Sequence, residues 1–420
     1  MGHIINQADR GDRMLVLVDG TKNSNKRYDM VVNGDGTFTA YWGRIKNDAG
    51  HPSQHRTYPM SKYDATLRSK LRKGYHDVTA YNAAFAPAED KADSLQQRQL
   101  ALIDDESVRG ILSQLLGFAD AKVSSTYKIG AESVTDEAIN AAKRQLDRMR
   151  ASKTVADFNR ELTELLVIIP RRIAVVNDAL AHDRHDFGKI LTRESDLLDV
   201  LDGQRRIAKQ NARRNATDTD TETVASMLDI LGIRMFSATA AQRQHVMGHL
   251  GEGLRDKVNG IYRVQNLATE ERFDKWLAEH GNPKVREFWH GSRNENWISI
   301  LQNGLVLNPN AQLTGKMFGS GSYFAPSPSK SFNYTSYRGT YWAHGSSDIG
   351  VMGLYAVAYG KPYVVYDNHE FGYSFGYEDL RRLDPKADCV HAKKGKVLRN
   401  DEVIFYREEQ TTINYLVDFT

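Results

Sequence analysis

Only one cysteine, Cys389, occurs in the 420 residues of this chain. A lone thiol cannot close an intramolecular disulfide, and it excludes zinc ribbons or fingers built on cysteine pairs. An intracellular protein without a metal is expected: nuclear if eukaryotic, in the cytoplasm or nucleoid if bacterial or viral. An excess of one charge is also lacking, with 56 basic against 53 acidic residues and a net charge of +3. Whole-chain attraction to nucleic acid is thereby excluded, and any basic surface must be local. The longest apolar run, Leu165-Leu166-Val167-Ile168-Ile169, falls far short of the ~20 residues that span a bilayer. The N-terminal stretch Met1 to Gln7 has no apolar core followed by a small-residue cleavage site, so no signal peptide is expected and the protein is read as soluble, with no membrane partner. Neither Gly-x-Gly-x-x-Gly nor Gly-x-x-x-x-Gly-Lys-Ser/Thr occurs, which leaves no support for a Rossmann site or a P-loop. Internal repeats and low-complexity tracts are missing too.

What is present divides by pattern, and the length alone predicts two or three domains. Leu15–Val18, Arg27–Val32 and Thr37–Trp42 read as strands, with Asn33-Gly34-Asp35-Gly36 supplying the positive-φ residues of a hairpin. Trp42-Gly43-Arg44 follows, then a helical stretch from Tyr63 to Arg72 and the string Lys73-Gly74-Tyr75-His76-Asp77-Val78-Thr79. Asn82 to Ser94 is a polar, small-residue connector. From there to about Ala208 the pattern becomes helical. Ser133-Val134-Thr135-Asp136 reads as a capping box ahead of Ile139, Ala142, Leu146 and Met149. Phe158, Leu162, Leu165 and Ile169 form a second stripe stopped by Pro170, and Ile190, Leu191, Leu197, Leu198 and Leu201 a third. Such stripes imply helices burying one face each in a small bundle. Arg205 to Thr223 reads as a solvated linker. Val224, Met227, Leu228, Leu231 and Met235 then trace a further helix. Strands are expected at Gly260–Val264, Gly353–Ala358, Tyr363–Tyr366, the segment opening at Glu402, and Ile413–Phe419.

Four strings in the last third carry most of the information. They are Phe288-Trp289-His290-Gly291-Ser292-Arg293, Thr314 to Ala325, Ser329-Lys330-Ser331-Phe332-Asn333-Tyr334, and Asn400 to Tyr406. Their order and spacing resemble the catalytic domain of the poly(ADP-ribose) polymerase family, whose cleft carries a His, a Tyr and a Glu; the matching positions are His290, Tyr323 and Glu402. Taken singly, each has an ordinary reading: a strand histidine, core packing, a solvent-facing carboxylate. Tyr406, Gln410 and Tyr415 keep the family's spacing after Glu402, which supports it over Glu408 or Glu409; Asp401 is the nearest competitor. The N-terminal strings resemble a WGR domain of the same family, which implies that Trp42 and Arg44 lie on a face touching DNA ends or neighbouring domains. Between them the helical stretch resembles the family's regulatory domain.

The resemblance implies the chemistry. Cleaving the nicotinamide–ribose bond of NAD passes through a ribosyl cation akin to that of glycoside hydrolysis. The pyridinium leaves neutral and needs no acid. It needs a flat surface, donors for its carboxamide, and a carboxylate near the developing charge. By resemblance, Tyr334 and Tyr323 sandwich the ring, Gly291 presents its backbone and Ser331 its hydroxyl to the carboxamide, and His290 and Ser292 hold the adenosine ribose. Glu402 binds the 2′-hydroxyl of the other ribose, stabilises the cation and orients or deprotonates the acceptor. Two departures stand out. Lys316 occupies a position where the family often has an aromatic residue, beside a short Asn308–Leu313 loop. The Asp367–Asn400 stretch is shortened and carries Arg381, Arg382, Lys393, Lys394 and Lys396, a solvated loop or a contact for the phosphates of a growing chain.

The expected fold is therefore multidomain α+β. A small β-rich WGR domain spans residues 10–82, an all-α helical regulatory domain 94–208, and a mixed α+β ADP-ribosyltransferase domain 218–420. The expected function is DNA-stimulated transfer of ADP-ribose from NAD to protein acceptors, the chain itself included, with polymer favoured over single transfer. The rivals are a mono-ADP-ribosyltransferase and a scaffold that binds DNA or NAD without turnover.

Overall fold

The computed structural model describes residues 10–45, 50–82, 91–217, 224–307, 317–372 and 375–420. Most of the 82–94 connector, Lys316 and the Asn308–Leu313 loop lie outside the described residues. The chain is mixed α+β and divides into two compact units, residues 1–90 with 122–198 and residues 91–121 with 199–420. No described helix is long and apolar enough to cross a membrane.

In the first unit a five-stranded antiparallel sheet runs in the order β4-β3-β2-β1-β5. Its strands are β1 (Arg13–Asp19), β2 (Ser24–Val32), β3 (Thr37–Arg44), β4 (Gln54–Pro59) and β5 (His76–Asp77). Alternation of apolar residues puts Leu15, Tyr28, Met30, Phe38 and Ala40 on one core with Tyr63 and Leu67 of the Tyr63–Arg72 helix. The helices Asp136–Ala151 and Val155–Ile168 bury the two stripes read from the sequence. Phe158 stacks on Phe187 at 4.0 Å between ring centroids. Each fully buried aliphatic or phenylalanine side chain here contributes about 1.5–3 kcal/mol.

Three local expectations need correction. The cap of the Asp136–Ala151 helix is Thr135, which accepts from the Ala138 N–H, and Ser133 sits in a preceding 3₁₀ turn. A helix begun at Ser133 would need Val134 helical, but Val134 bridges Asn82 in extended conformation. The stretch from Arg205 is not a linker but the continuation of the helix Asp186–Thr217. Asp202 pairs with Arg205 and Arg206 one turn on, and Ala, Arg, Lys and Gln are good helix formers even without an apolar stripe. Met235 is strand rather than helix, because the Met227–Leu231 helix ends at Gly232 with φ 68°.

The second unit contains two sheets. One runs β6-β7-β14-β10-β8 and the other β11-β12-β13-β9. Their strands are β6 (Ile233–Ser237), β7 (Val258–Asn266), β8 (Val285–Ser292), β9 (Ser322–Phe324), β10 (Gly350–Ala358), β11 (Pro362–Val365), β12 (Cys389–Ala392), β13 (Glu402–Phe405) and β14 (Thr411–Phe419). β10 is buried along its whole length, which its unbroken run of apolar and small residues anticipates for a covered strand. β8 and β9 end their respective sheets and are joined at their outer edges by a Trp289–Ala325 bridge. The candidate site lies at that junction.

Candidate active site

β8 is anchored by Trp289, 1% exposed, whose indole N–H donates to the His249 carbonyl at 3.2 Å. The Trp289 backbone N–H donates to Ala325 at 3.1 Å, and the Ala325 N–H donates back at 2.9 Å. Both polar groups of Trp289 thus face away from β10. Strand periodicity points the N–H and C=O of Gly291 to the same outer side. The absence of a side chain there is required, since a Cβ would lie 1.9 Å from the Ser331 carbonyl oxygen. Gly291 therefore offers a donor and an acceptor side by side, the pattern a primary carboxamide complements.

Ser331 is buried in the short Pro328–Phe332 helix, and its hydroxyl donates to the Trp289 carbonyl at 2.8 Å. Donation to a ligand carboxamide, the role the family resemblance implies, requires that hydroxyl to turn. Tyr334 follows directly, its N–H on the Ser331 carbonyl at 3.0 Å. Its side chain is 38% exposed, and its ring runs nearly parallel to that of Trp342 at 6.3 Å. Its phenol is pushed up to about 12, by burial first and by Glu402 second.

On the opposing sheet Tyr323 of β9 pairs with Ile404 of β13. Its hydroxyl donates to the Gly319 carbonyl and accepts from the Phe318 N–H, both at 2.9 Å. Burial, with smaller contributions from Glu402 and Tyr334, holds this phenol well above its ordinary titration, so it stays neutral. His290 Nδ1 lies 3.0 Å from the Tyr323 carbonyl. A carbonyl only accepts, so Nδ1 carries the proton. Ser292, at the end of β8, accepts from the Asn296 amide at 3.0 Å.

Glu402 opens β13 and is 6% exposed. Lys330 Nζ lies 2.7 Å from its Oε1 and donates also to the Asn400 carbonyl at 3.1 Å. Burial raises the carboxyl's titration, and Lys330 opposes that rise without cancelling it. Asp401, its neighbour, projects to the other side of the strand. It meets His391 Nε2 and Lys393 Nζ, each at 3.0 Å, and the Lys394 N–H at 2.8 Å. Burial works to raise Asp401, but these bonds outweigh it and the net shift is downward. Asp401 is thus committed to its own cluster. Tyr406 and Gln410 act as braces, donating to the Phe318 and Asp388 carbonyls respectively.

The structure thus draws Gly291, Ser331, Tyr334, Tyr323, His290 and Glu402 into one connected neighbourhood, with Ser292 at its end. Reading the sequence missed Lys330, which lies between two quoted serines; nothing local marks it as the partner of a carboxylate 72 positions away.

Trp42 and Arg44 belong to the first unit. Trp42 is half-buried and stacks on Tyr28 with centroids 6.1 Å apart. Arg44 donates to the Asn23 carbonyl at 2.6 Å, to Asn23 Oδ1 at 3.1 Å, and to the Ala174 carbonyl. Asn23 Oδ1 also accepts from the Val176 N–H at 2.9 Å, and the Asn25 amide donates to the Arg171 carbonyl at 3.0 Å. Arg44 is thus part of a polar seam joining the sheet to the segment after Pro170.

Residues 238–420 match the family model described as the poly(ADP-ribose) polymerase catalytic domain. A poly(ADP-ribose) polymerase-like protein of invertebrate iridescent virus 6 is 33% identical over 164 residues, covering 38% of this chain and 84% of the relative. Poly(ADP-ribose) polymerase 2 of Zea mays is 23% identical over 394 residues, 85% of this chain and 57% of the maize protein. The human poly(ADP-ribose) polymerase 2 is 45% identical over 112 residues, 26% of this chain and 16% of the human protein.

Proposed function

The chain belongs to the poly(ADP-ribose) polymerase family and is an NAD-dependent ADP-ribosyltransferase; on that premise we propose that it extends ADP-ribose chains on protein acceptors, itself included, in response to DNA ends or nicks. The observation that carries the reading is the buried Glu402–Lys330 pair, which lies within electrostatic reach of Tyr323 and Tyr334.

In this reading the nicotinamide carboxamide pairs with the outward N–H and C=O of Gly291 and meets Ser331. The ring stacks between Tyr334 and Tyr323, which their neutral phenols permit. His290, with Nδ1 tied to Tyr323, presents its other edge to the adenosine ribose, together with Ser292. Glu402 holds the 2′-hydroxyl of the nicotinamide ribose, and its charge stabilises the ribosyl cation as the pyridinium leaves. It then receives the proton of the acceptor hydroxyl. Lys330 keeps the buried Glu402 ionised and fixes its orientation.

This gives a pH dependence with a definite sign. Activity that needs ionised Glu402 is lost as pH falls through its raised titration, above the range of an ordinary carboxylate. Lys330→Met removes the opposing cation, so the acid limb of the pH–rate profile is expected to move further toward alkaline pH. An unmoved acid limb in this variant would separate Glu402 from the limb.

Control is proposed to run through the rest of the chain, with a WGR domain at 10–82, a helical regulatory domain at 94–208 and the transferase domain at 218–420. Arg44 supports this, since its guanidinium links the Trp-Gly-Arg strand to the segment at Ala174. DNA that competes for Arg44 or Trp42 would disturb that seam, a two-state coupling of the kind allostery requires. Arg44→Ala is expected to keep basal NAD turnover and lose about tenfold or more of the stimulation by a nicked duplex, a coupling within the usual range. Equal stimulation of variant and wild type would remove the seam from the pathway. A wild-type chain indifferent to DNA would remove DNA control altogether.

A further inference from the structure

His245, His249 and Glu287 form a cluster whose ligating atoms all lie within 4.8 Å of one another, the one such group among the described residues. The two histidines sit one turn apart on the Ala240–His249 helix, so their rings project from the same face, with centroids 4.7 Å apart. Glu287 reaches them from β8, where it shares a strand face with Trp289. Its Oε2 lies 2.6 Å from His245 Nε2 and 3.7 Å from His249 Nε2. The side chains are 45%, 37% and 18% exposed, so an ion has an entry path.

From these observations we propose that the three residues bind a divalent transition-metal ion of the zinc class. The donor set, two imidazoles and one carboxylate, is that of three-ligand zinc sites that keep a fourth position for water. Zinc bond lengths place tetrahedral ligand atoms roughly 3.3 Å apart. The 2.6 and 3.7 Å separations bracket that value and all three donor atoms lie within 4.8 Å of one another, so shifts on the order of 1 Å among the side chains admit the ion.

The surrounding bonds orient the donors as metal sites require. His249 Nδ1 lies 3.1 Å from the His245 carbonyl. That bond fixes the proton on Nδ1 and leaves Nε2 with its lone pair toward the cluster. Glu287 Oε1 accepts from the Asn414 amide at 2.9 Å, leaving Oε2 to face the histidines. Without an ion, the Nε2 lone pair of His249 faces a carboxylate oxygen 3.7 Å away, acceptor against acceptor.

The site would tie the Ala240–His249 helix to β8 just ahead of His290 and Gly291. Its role is to pin the strand, at a distance from the transferred group. No cysteine takes part, which is why a reading based on cysteine pairs expected no metal. The spacing His-x-x-x-His alone also gives no hint of a third donor 38 positions on.

The test titrates zinc chloride into the full chain, stripped with a chelator and then freed of it, by isothermal calorimetry. The same titration is run on His245→Gln, His249→Gln and Glu287→Gln. One saturable zinc per wild-type chain is expected, weakened more than about tenfold in each variant. Cobalt chloride should give the visible absorption of a four-coordinate nitrogen–oxygen site in the wild type and lose it in His249→Gln. Thermal melts without metal verify that each variant is folded, and zinc should raise the melting temperature of the wild type alone. Absence of saturable zinc binding, or affinity unchanged in all three folded variants, would reduce the cluster to a histidine–glutamate surface pair.

Discussion

Glu402→Gln is expected to lower turnover about a hundredfold to a thousandfold, the range for removing a preorganised group that stabilises transition-state charge. NAD affinity should stay within a few-fold, because the amide keeps a partner for the ribose hydroxyl. The loss falls on kcat for two reasons. The charge beside the ribosyl cation is gone, and so is the base that relieves the acceptor of its proton. Chain elongation should suffer more than simple NAD hydrolysis, since water needs less orientation than a sugar hydroxyl. Lys330 would keep its bond to the Asn400 carbonyl, 3.1 Å away, but would lose its counter-charge. A melting measurement is needed to separate that cost from the catalytic one. Product of wild-type length from a folded Glu402→Gln protein would transfer the role to another group. Asp401, bound to His391, Lys393 and Lys394, is poorly placed to take it.

Gly291→Ala is the second large effect. The new Cβ would stand 1.9 Å from the Ser331 carbonyl oxygen and 2.8 Å from its carbonyl carbon. Both are backbone atoms and cannot rotate aside. Either β8 or the Pro328–Phe332 helix must shift, by an amount on the order of 1 Å. Displacements of that size can cost about a hundredfold in kcat/KM. Because Gly291, Ser331 and Tyr334 are proposed to bind the nicotinamide end, benzamide-like mimics should weaken in parallel with NAD. Overpacking should also lower stability by about 1–3 kcal/mol. If the variant keeps its inhibitor affinity, the carboxamide does not bind at Gly291.

Much of the architecture was legible because local chemistry and tertiary packing agree. Leu15 to Val18, Gly353 to Ala358 and Ile413 to Phe419 are strands in the sequence pattern and in the structure. The Phe158–Ile169 stripe is buried as its period implies. Failures occurred where a distant partner decides. Val134 is drawn into an extended bridge by Asn82, so the helix starts later than its own residues suggest. The polar stretch after Arg205 carries no apolar stripe, yet the Asp202 pairs and good helix formers continue the helix to Thr217.

The site divides in the same way. His290, Gly291, Tyr323, Ser331, Tyr334 and Glu402 lie in strings whose order is visible in one dimension. The fold brings those strings to the β8–β9 junction and the start of β13. Lys330 was invisible as the partner of Glu402, because an ion pair across 72 positions leaves no periodic signature. The seam at Arg44 was equally hidden: Arg44 reaches the Ala174 carbonyl, and Asn25 the Arg171 carbonyl, only once the sheet meets the segment after Pro170.

Sizing the ADP-ribose product made from labelled NAD, alongside the nicotinamide released, tests the central claim most directly. The wild-type chain should release nicotinamide and build protein-bound products longer than one unit, and Glu402→Gln should make neither in quantity. Nicotinamide release by the wild type no greater than by Glu402→Gln would contradict the account.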